Sequence, residues 1–118
     1  MANPSLTKGK IVLVPFPFDD LSSTKIRPAV CLTNPVGQYN RIMMAFITSK
    51  VPTKLLETDI LLDTNHPDFA DSGLRKSSVI KLDFIVSLRP SLIKREIGKL
   101  SSNTQTEIGE KLCKLMTE

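Results

Sequence analysis

The apolar residues of this chain come in short runs separated by turn-forming residues, and this spacing limits the folds that the chain can adopt. Runs such as KIVLVPF and RIMMAFITS are bounded by Pro, Asn, Asp or Gly, which end strands and form turns. Only the last part of the sequence has apolar residues at helical spacing. We therefore expect a mainly β (α+β) protein: a small, strongly bent antiparallel sheet or SH3-like barrel with a C-terminal helix.

Six segments are predicted strands. The short turn VGQYN between the second and third segments leaves too little chain for a crossover, so antiparallel pairing is expected there. After the fourth segment, residues 64–73 are rich in turn formers and are predicted to be an irregular insertion. The predicted strands are 10–16, 27–34, 41–49, 58–63, 77–89 and a short one within 92–100.

The predicted C-terminal helix begins near residue 103. Asn103 or Thr104 is a candidate N-cap, and Thr104 with Glu107 matches the S/T-x-x-E capping box. Gly109 weakens a helix interior by roughly 1 kcal/mol relative to Ala, so packing against the sheet must support the helix. The predicted apolar stripe consists of Ile108, Leu112, Leu115 and Met116.

A length of 118 residues predicts a single domain, 1–118, because two cores of ordinary size need a longer chain. Residues 1–9 are mostly polar and are predicted to form a flexible lead-in, with order beginning at Lys10. No apolar run approaches the roughly 20 residues of a membrane span, and the N-terminus lacks a signal-peptide pattern. We expect a soluble, cytoplasmic protein with no membrane partner.

The residue types exclude most familiar active sites. His66 is the only histidine, and the chain has no Cys-x-x-Cys, His-Glu-x-x-His or Gly-rich phosphate-loop pattern. Cys31 and Cys113 are too few for a disulfide framework and are predicted to be buried, small apolar residues. We expect no metal and no other cofactor, so an enzyme of this composition would rely on Arg, Lys, hydroxyl and carboxylate groups.

The charge of the chain is unevenly distributed around a formal net charge of +4. Residues 75–99 contain seven Lys or Arg and two acidic residues, whereas residues 57–71 contain five acidic residues and no Lys or Arg. A polyanion or an acidic partner peptide could bind the basic stretch. A solvated basic face is the commoner cause of such a run, and both interpretations stay open here.

Arg27 stands directly before Pro28, and a residue before proline is held in extended geometry. Arg27 should therefore open the second strand, while Thr48 and Ser49 end the third, where a neighbouring strand can bring them close. Arginine offers planar donors and a permanent charge that match phosphate oxygens. RNA cleavage by its own 2'-hydroxyl needs little more than such groups. The same two residues also fit an interpretation without a functional site. In that interpretation Arg27 forms an ordinary surface ion pair, and Thr48 is a hydroxyl residue at the end of a strand.

Three stretches together resemble the PemK/MazF family of toxins from type II toxin–antitoxin systems. GKIVLVPFPFDDLSSTKIRPAV is similar to the family's opening strand, loop and Arg-Pro pair, MMAFITSK to its hydroxyl-bearing strand, and GLRKSSVIKLDFIVSLRPSLIKREIGKLS to its C-terminal half. The resemblance covers about residues 8–115. It implies a PemK-type barrel, a homodimer, a cognate antitoxin protein as partner, and sequence-selective, metal-independent cleavage of single-stranded RNA to 2',3'-cyclic phosphate and 5'-hydroxyl ends.

The resemblance also implies roles for individual residues. Arg27 and Thr48 match the family's catalytic arginine and threonine. The sequence departs from the common family pattern at Lys10, at Ile26 and at the Ser22–Ser23 pair. These departures concern the expected cleavage sequence and the expected flexibility of the loop before Arg27. The residues expected to contact RNA are Asp20, Ser22, Ser23, Lys25, Ser49, Lys50, Lys76, Ser77 and Ser78.

Two other functions are compatible with the same fold. A non-catalytic toxin would inhibit a protein target such as gyrase, and a nucleic-acid-binding module would keep the barrel without turnover. Arg27 and Thr48, both retained, favour RNA cleavage over these alternatives.

Overall fold

The computed structural model of the protein describes residues 6–16 and 25–118. Within these ranges, six strands form one antiparallel sheet in the order β4-β5-β3-β2-β1-β6, curled into a half-barrel, with a helix at the C-terminus. The predicted mainly β fold is therefore confirmed. The elements are β1 (Lys10–Phe16), β2 (Lys25–Cys31), β3 (Ile42–Thr48), β4 (Asp59–Leu62), α1 (Phe69–Ser72), β5 (Ser78–Leu88), a 3-10 turn (Pro90–Leu92), β6 (Arg95–Lys99) and α2 (Ser102–Thr117).

All six predicted strands are present, with shifted ends. The strand β2 starts two residues earlier than predicted, at Lys25. The insertion 64–73 is not wholly irregular, since it contains the four-residue helix α1, which is followed by the C-cap Gly73 with a φ of 75°. Glycine adopts this left-handed conformation without the steric cost that a Cβ brings.

Apolar side chains cover both faces of the sheet, because neighbouring residues of a strand point to opposite sides. One face packs against α2 through Ile108, and its buried strand residues include Ile11, Val30, Ala45, Ile47 and Ile80. The other face buries a second cluster that includes Val14, Phe16, Ala29, Met44 and the partly buried Phe46. The strands β1, β2 and β3 thus contribute to two cores, which fixes their register.

The C-terminal helix begins earlier than the sequence predicted. Ser101 is the N-cap, and its side chain accepts a hydrogen bond from the backbone N–H of Thr104. The predicted caps Asn103 and Thr104 both lie inside the helix, so the Thr104–Glu107 capping box is wrong. A serine in extended geometry can accept a hydrogen bond from a free backbone N–H of the first helical turn. Ser101 does so here, and the helix therefore begins before Asn103 and Thr104.

The predicted burial of the helix stripe and of the cysteines is only partly correct. Ile108 is buried and Leu112 partly so, whereas Leu115 and Met116 are 45% and 71% exposed. Cys31 is buried on β2, as predicted, but Cys113 is exposed.

Ordered contacts begin before Lys10. Thr7 is buried, its hydroxyl donates to the carbonyl of Thr33, and its N–H donates to Oδ1 of Asn34. Part of the predicted flexible lead-in is therefore bonded to the loop after β2, while residues 1–5 lie outside the described ranges.

Among the helices of the described chain, none combines the length and the apolar character that a membrane crossing requires.

Candidate functional site

The strands β2 and β3 bring Arg27 and Thr48 to the same end of the sheet, where both line one cavity. The two strands pair Cys31 with Met44 and Ala29 with Phe46. In an antiparallel ladder, moving forward on one strand corresponds to moving back on the other. Continued two residues past the last observed pair, the register points Arg27 towards Thr48. Both then lie on the face that carries Ala29 and Phe46.

A cavity of about 380 Å³ opens where this ladder ends. The start of β5 lies beside the end of β3, with Val79 paired to Thr48, so the segment before β5 forms another wall. Cavities of this size accommodate small ligands or parts of larger ones. The lining residues are 26–28 from β2, 46–50 from β3 and the turn after it, and 74–76 with Ser78 from the segment leading into β5.

The lining is cationic. It contains Arg27, Lys50, Arg75 and Lys76, and no carboxylate or imidazole is among the described residues that line it. Lys50, Arg75 and Lys76 belong to none of the ion pairs found in the described chain. A concave surface with charges of one sign concentrates the field, so the cavity attracts anions such as phosphate groups.

The Thr48 hydroxyl is oriented by the turn that ends β3. Its Oγ1 accepts a hydrogen bond of 3.1 Å from the backbone N–H of Lys50. A hydroxyl has one proton to donate and accepts through its lone pairs, so this bond leaves the Thr48 proton for a ligand. Local turns of this kind are characteristic of Ser and Thr, and here the turn holds Thr48 at the cavity wall.

The apolar wall of the cavity is built on three packed aromatic rings. Phe46 lines the cavity, and its ring centroid lies 5.1 Å from that of Phe16 and 5.3 Å from that of Phe84. Phe16 and Phe84 meet edge to face at 5.0 Å. Such tilted pairs stabilise a core beyond simple area burial, so this side of the cavity is rigid.

The structure brings together most, but not all, of the residues that the sequence singled out. Ser49, Lys50, Lys76 and Ser78 line the cavity with Arg27 and Thr48, whereas Lys25 and Ser77 do not. The hydroxyl of the buried Ser78 donates to the carbonyl of Lys76 at 2.9 Å, so it supports the turn that presents Lys76. Asp20, Ser22 and Ser23 lie outside the described residues.

Sequence reasoning missed several lining residues, above all Arg75. In the sequence, the only sign of a role for Arg75 is its position beside Lys76 in the basic stretch. Its place at the cavity depends on where β5 begins, which only the structure shows. Ile26 was noted as a departure from a family pattern, and the structure places it, 45% exposed, on the cavity wall. Leu74 and Phe46 had no signal apart from being apolar.

The basic stretch 75–99 does not form one face. Arg75 and Lys76 line the cavity, Lys81 bonds to the buried carboxylate of Asp59, and Arg89 lies over the ring of Tyr39. The basic side chains of this stretch therefore lie in different parts of the structure and do not form a single basic surface.

No group of three or more His, Cys, Asp or Glu side chains that could hold a metal ion occurs in residues 6–16 and 25–118. His66 is half-buried, and its Nδ1 accepts the backbone N–H of Asp68 at 3.0 Å. The histidine thus stabilises the turn that leads into α1.

The fold and the cavity define a class: a small, mainly β protein with a cationic cavity where the strands β2, β3 and β5 meet. The chain belongs to the family of PemK-like, MazF-like toxins of type II toxin–antitoxin systems, whose sequence model matches residues 7–116. This confirms the resemblance seen in the sequence.

Solved structures of such toxins share the fold. The Mycobacterium tuberculosis toxin MazF-mt6 is 23% identical with a TM-score of 0.64, and the match covers 89% of this chain and 95% of that one. An Mtb toxin is 26% identical with a TM-score of 0.59, covering 75% and 90%. An endoribonuclease in complex with its cognate antitoxin from a mycobacterial species is 13% identical with a TM-score of 0.64, covering 95% of each chain. No curated protein sequence matches the chain.

Proposed function

We propose that this toxin is a metal-independent, sequence-selective endoribonuclease that cleaves single-stranded RNA, including messenger RNA, in the cavity between β2, β3 and β5. The observation that carries the proposal is that Arg27 and Thr48 line the same cationic cavity. The similarity in fold to an endoribonuclease solved with its antitoxin gives further support.

The reaction uses a nucleophile that RNA itself supplies. The 2'-hydroxyl attacks the adjacent phosphorus, an O2'–P bond forms, and the P–O5' bond breaks. The 2'-hydroxyl loses its proton, the leaving 5'-oxygen gains one, and the products carry a 2',3'-cyclic phosphate and a 5'-hydroxyl. The protein's task is to align these atoms and to stabilise the negative charge that develops on the phosphorane.

Arg27 and Thr48 are suited to that task. The guanidinium of Arg27 offers several N–H donors and a charge that is permanent at ordinary pH, so it stabilises the equatorial phosphorane oxygens. The Thr48 hydroxyl, with Lys50 N–H bonded to its oxygen, donates its proton to a phosphate oxygen. Because arginine is a very weak acid, we assign it charge stabilisation rather than proton abstraction.

The other lining cations hold the RNA on either side of the reacting phosphate. Lys50, Arg75 and Lys76 are ligands for flanking phosphates, and Ile26 and Phe46 offer apolar surface to bases. Ser49, which also lines the cavity, is a further proposed RNA contact, as are Lys25, Ser77 and the residues Asp20, Ser22 and Ser23.

The partners follow from the same proposal. The toxin acts as a homodimer in the cytoplasm, where messenger RNA is translated, and a cognate antitoxin inhibits it. An acidic antitoxin segment that is disordered when free would fold onto the cationic cavity and exclude RNA.

The test is cleavage of a long single-stranded RNA in EDTA by the wild type, Arg27→Ala and Thr48→Val. We expect discrete fragments with cyclic phosphate ends from the wild type. Removing one donor that stabilises transition-state charge typically costs about 100- to 1,000-fold in rate, which is the loss expected for Arg27→Ala. Thr48→Val keeps the shape of the side chain and removes only the hydroxyl.

Arg95→Ala and Thr106→Val are matched controls, because both residues are exposed and lie outside the cavity. Both controls should cut at the wild-type rate. The proposal is wrong if the wild type binds RNA without cutting it, as a nucleic-acid-binding module would, or if Arg27→Ala cuts as fast as Arg95→Ala.

A further inference from the structure

Two arginines share one exposed aromatic ring at the end of the sheet away from the cavity. Tyr39 is 55% exposed. The guanidinium carbon of Arg41 lies 5.5 Å from the ring centroid, and that of Arg89 lies 5.2 Å from it. Both distances fall within the range in which a cation is attracted to an aromatic face. We refer to Tyr39, Arg41 and Arg89 as the Tyr39 cluster.

The hairpin that carries Tyr39 and Arg41 is held in one conformation. Val36 and Arg41 exchange two backbone hydrogen bonds, of 2.8 Å and 3.1 Å. Asn40 has a φ of 55°, a left-handed conformation that Asn tolerates better than most residues and that closes the loop tightly. Tyr39 therefore lies in a short loop whose two ends are joined by backbone hydrogen bonds.

Arg89 reaches the same ring through the register of β3 and β5. Ile42 pairs with Leu88, so the next residues outward, Arg41 and Arg89, are neighbours. Arg89 is extended with a ψ of 146° and precedes Pro90, which disfavours helical geometry at Arg89. The same Arg-Pro arrangement occurs at Arg27, so both ends of the sheet present an arginine held by a following proline.

Within residues 6–16 and 25–118, no carboxylate forms an ion pair with the arginines of the Tyr39 cluster. Arg41 and Arg89 belong to none of the ion pairs of the described chain. The sequence contains no Asp or Glu from 28 to 56 or from 84 to 95, the stretches that form the hairpin and the end of β5. Two like charges held beside one ring without a counter-ion favour the approach of an anion.

We propose that the Tyr39 cluster is a second contact for single-stranded RNA, in which bases stack on the tyrosine and guanidinium planes while guanidinium N–H groups bind phosphates. Surfaces that combine aromatic rings with arginines bind single strands in this way without needing a particular base. A purely acidic peptide would use the charges but would leave the exposed ring without a role. This inference rests on the proposed function, because it concerns the same RNA.

The separation from the cavity determines which RNA can use both sites. Arg41 precedes β3 and Thr48 ends it, and seven strand residues span roughly 20 Å. A fragment of a few nucleotides can fill the cavity alone, whereas a longer strand can reach the Tyr39 cluster as well. The cluster therefore contributes affinity for long RNA and none for short RNA.

The experiment measures binding of fully 2'-O-methylated RNAs, which cannot be cut, to the full-length protein by fluorescence anisotropy. One RNA has roughly 5 nucleotides and one roughly 15, the range over which single-strand binding sites extend. Tyr39→Ala should raise the Kd of the long RNA by roughly tenfold, as expected when one base loses its stacking partner, and leave that of the short RNA unchanged. Tyr39→Phe keeps the ring and should bind like the wild type.

A salt titration tests the phosphate contacts. Arg89→Gln should lower the slope of log Kd against log salt by about 0.7 for the long RNA, the change expected for one lost phosphate contact on a single strand. Arg95→Ala removes an exposed arginine that lies over no aromatic ring in the described chain and is the control for net charge.

The possible failures are distinguishable. If Tyr39→Ala binds long RNA as well as the wild type does, or weakens long and short RNA equally, the Tyr39 cluster is not a second contact, while cleavage in the cavity stands. If the variant loses binding of poly-glutamate but not of RNA, the surface binds an acidic protein instead. If the wild type neither binds nor cuts RNA, the proposed function and this inference are both wrong.

Discussion

The ion pair between Asp59 and Lys81 is expected to be the most sensitive charged contact in the fold. The Asp59 side chain is fully buried, and its carboxylate accepts the Leu56 N–H at 2.9 Å and Lys81 Nζ at 2.8 Å. This hydrogen bond is the main reason that the pKa of Lys81 lies above its usual value. Lys81→Met would leave the carboxylate buried with one donor.

The expected loss follows from this burial. Removing one partner of a buried pair typically costs 3–5 kcal/mol, and since the Lys81 side chain is 20% exposed we expect about 3 kcal/mol. A domain of this size has roughly 5–15 kcal/mol of stability in total, so the variant should be marginal but folded. The double substitution Asp59→Leu with Lys81→Met removes both charges and should recover most of the loss.

Urea unfolding followed by circular dichroism measures both effects at pH 7. Lys114→Met is the matched control, because it breaks the exposed pair between Lys114 and Glu57, and it should change the free energy of unfolding little. The reasoning is refuted if Lys81→Met is no less stable than Lys114→Met, or if the double variant is less stable than Lys81→Met alone.

Three further perturbations test the fold. Burial acts to raise the pKa of Asp68, but hydrogen bonds from Thr104 and Ser101 hold that pKa below its usual value. The ionised Asp68 carboxylate therefore stabilises the fold fully above about pH 4, and this stabilisation is lost as the pH falls. Asp68→Asn should therefore cost about 1–3 kcal/mol in urea unfolding at pH 7 and less near pH 3, and an equal cost at both would contradict this. Burial raises the pKa of Cys31 to about 12, whereas Cys113 is exposed. A thiol reagent at pH 8 should therefore label Cys113 alone in the native protein and both thiols in guanidinium. Two reactive thiols in the native state would be inconsistent with a buried Cys31. Gly98→Ala should destabilise by about 1–3 kcal/mol in thermal unfolding, because its new Cβ meets the backbone at Ser72, and an unchanged melting temperature would show that α1 moves freely.

The strands of this protein could be predicted from sequence because their signals are local. Apolar runs bounded by proline, asparagine and aspartate gave all six, and the proline after Arg27 indicated that this residue opens a strand. The strand ends also predict that Thr48 lies near Arg27, and in the structure both residues line one cavity.

The features that sequence reasoning missed depend on contacts between distant segments. Arg75 lies at the cavity because the start of β5 pairs with the end of β3, and no local pattern reports that pairing. Ser101 rather than Asn103 caps α2 because the Asp68 carboxylate, far away in sequence, accepts both the N–H and the hydroxyl of Ser101 at 3.0 Å. Cys113 lies next to Leu112 of the apolar stripe and was therefore predicted to be buried, but its side chain is exposed.

The central claim is that the cavity of Arg27 and Thr48 directs the RNA's own 2'-hydroxyl at the phosphate. The most direct measurement compares a single-stranded RNA containing the mapped cleavage site with the same RNA carrying one 2'-deoxy nucleotide there, under single-turnover conditions in EDTA. We expect the wild type to bind both equally, to cut the all-ribose RNA to a cyclic phosphate end, and to leave the 2'-deoxy RNA intact at that position. Cleavage of the 2'-deoxy RNA at the same bond would contradict the account, because the nucleophile would then come from elsewhere.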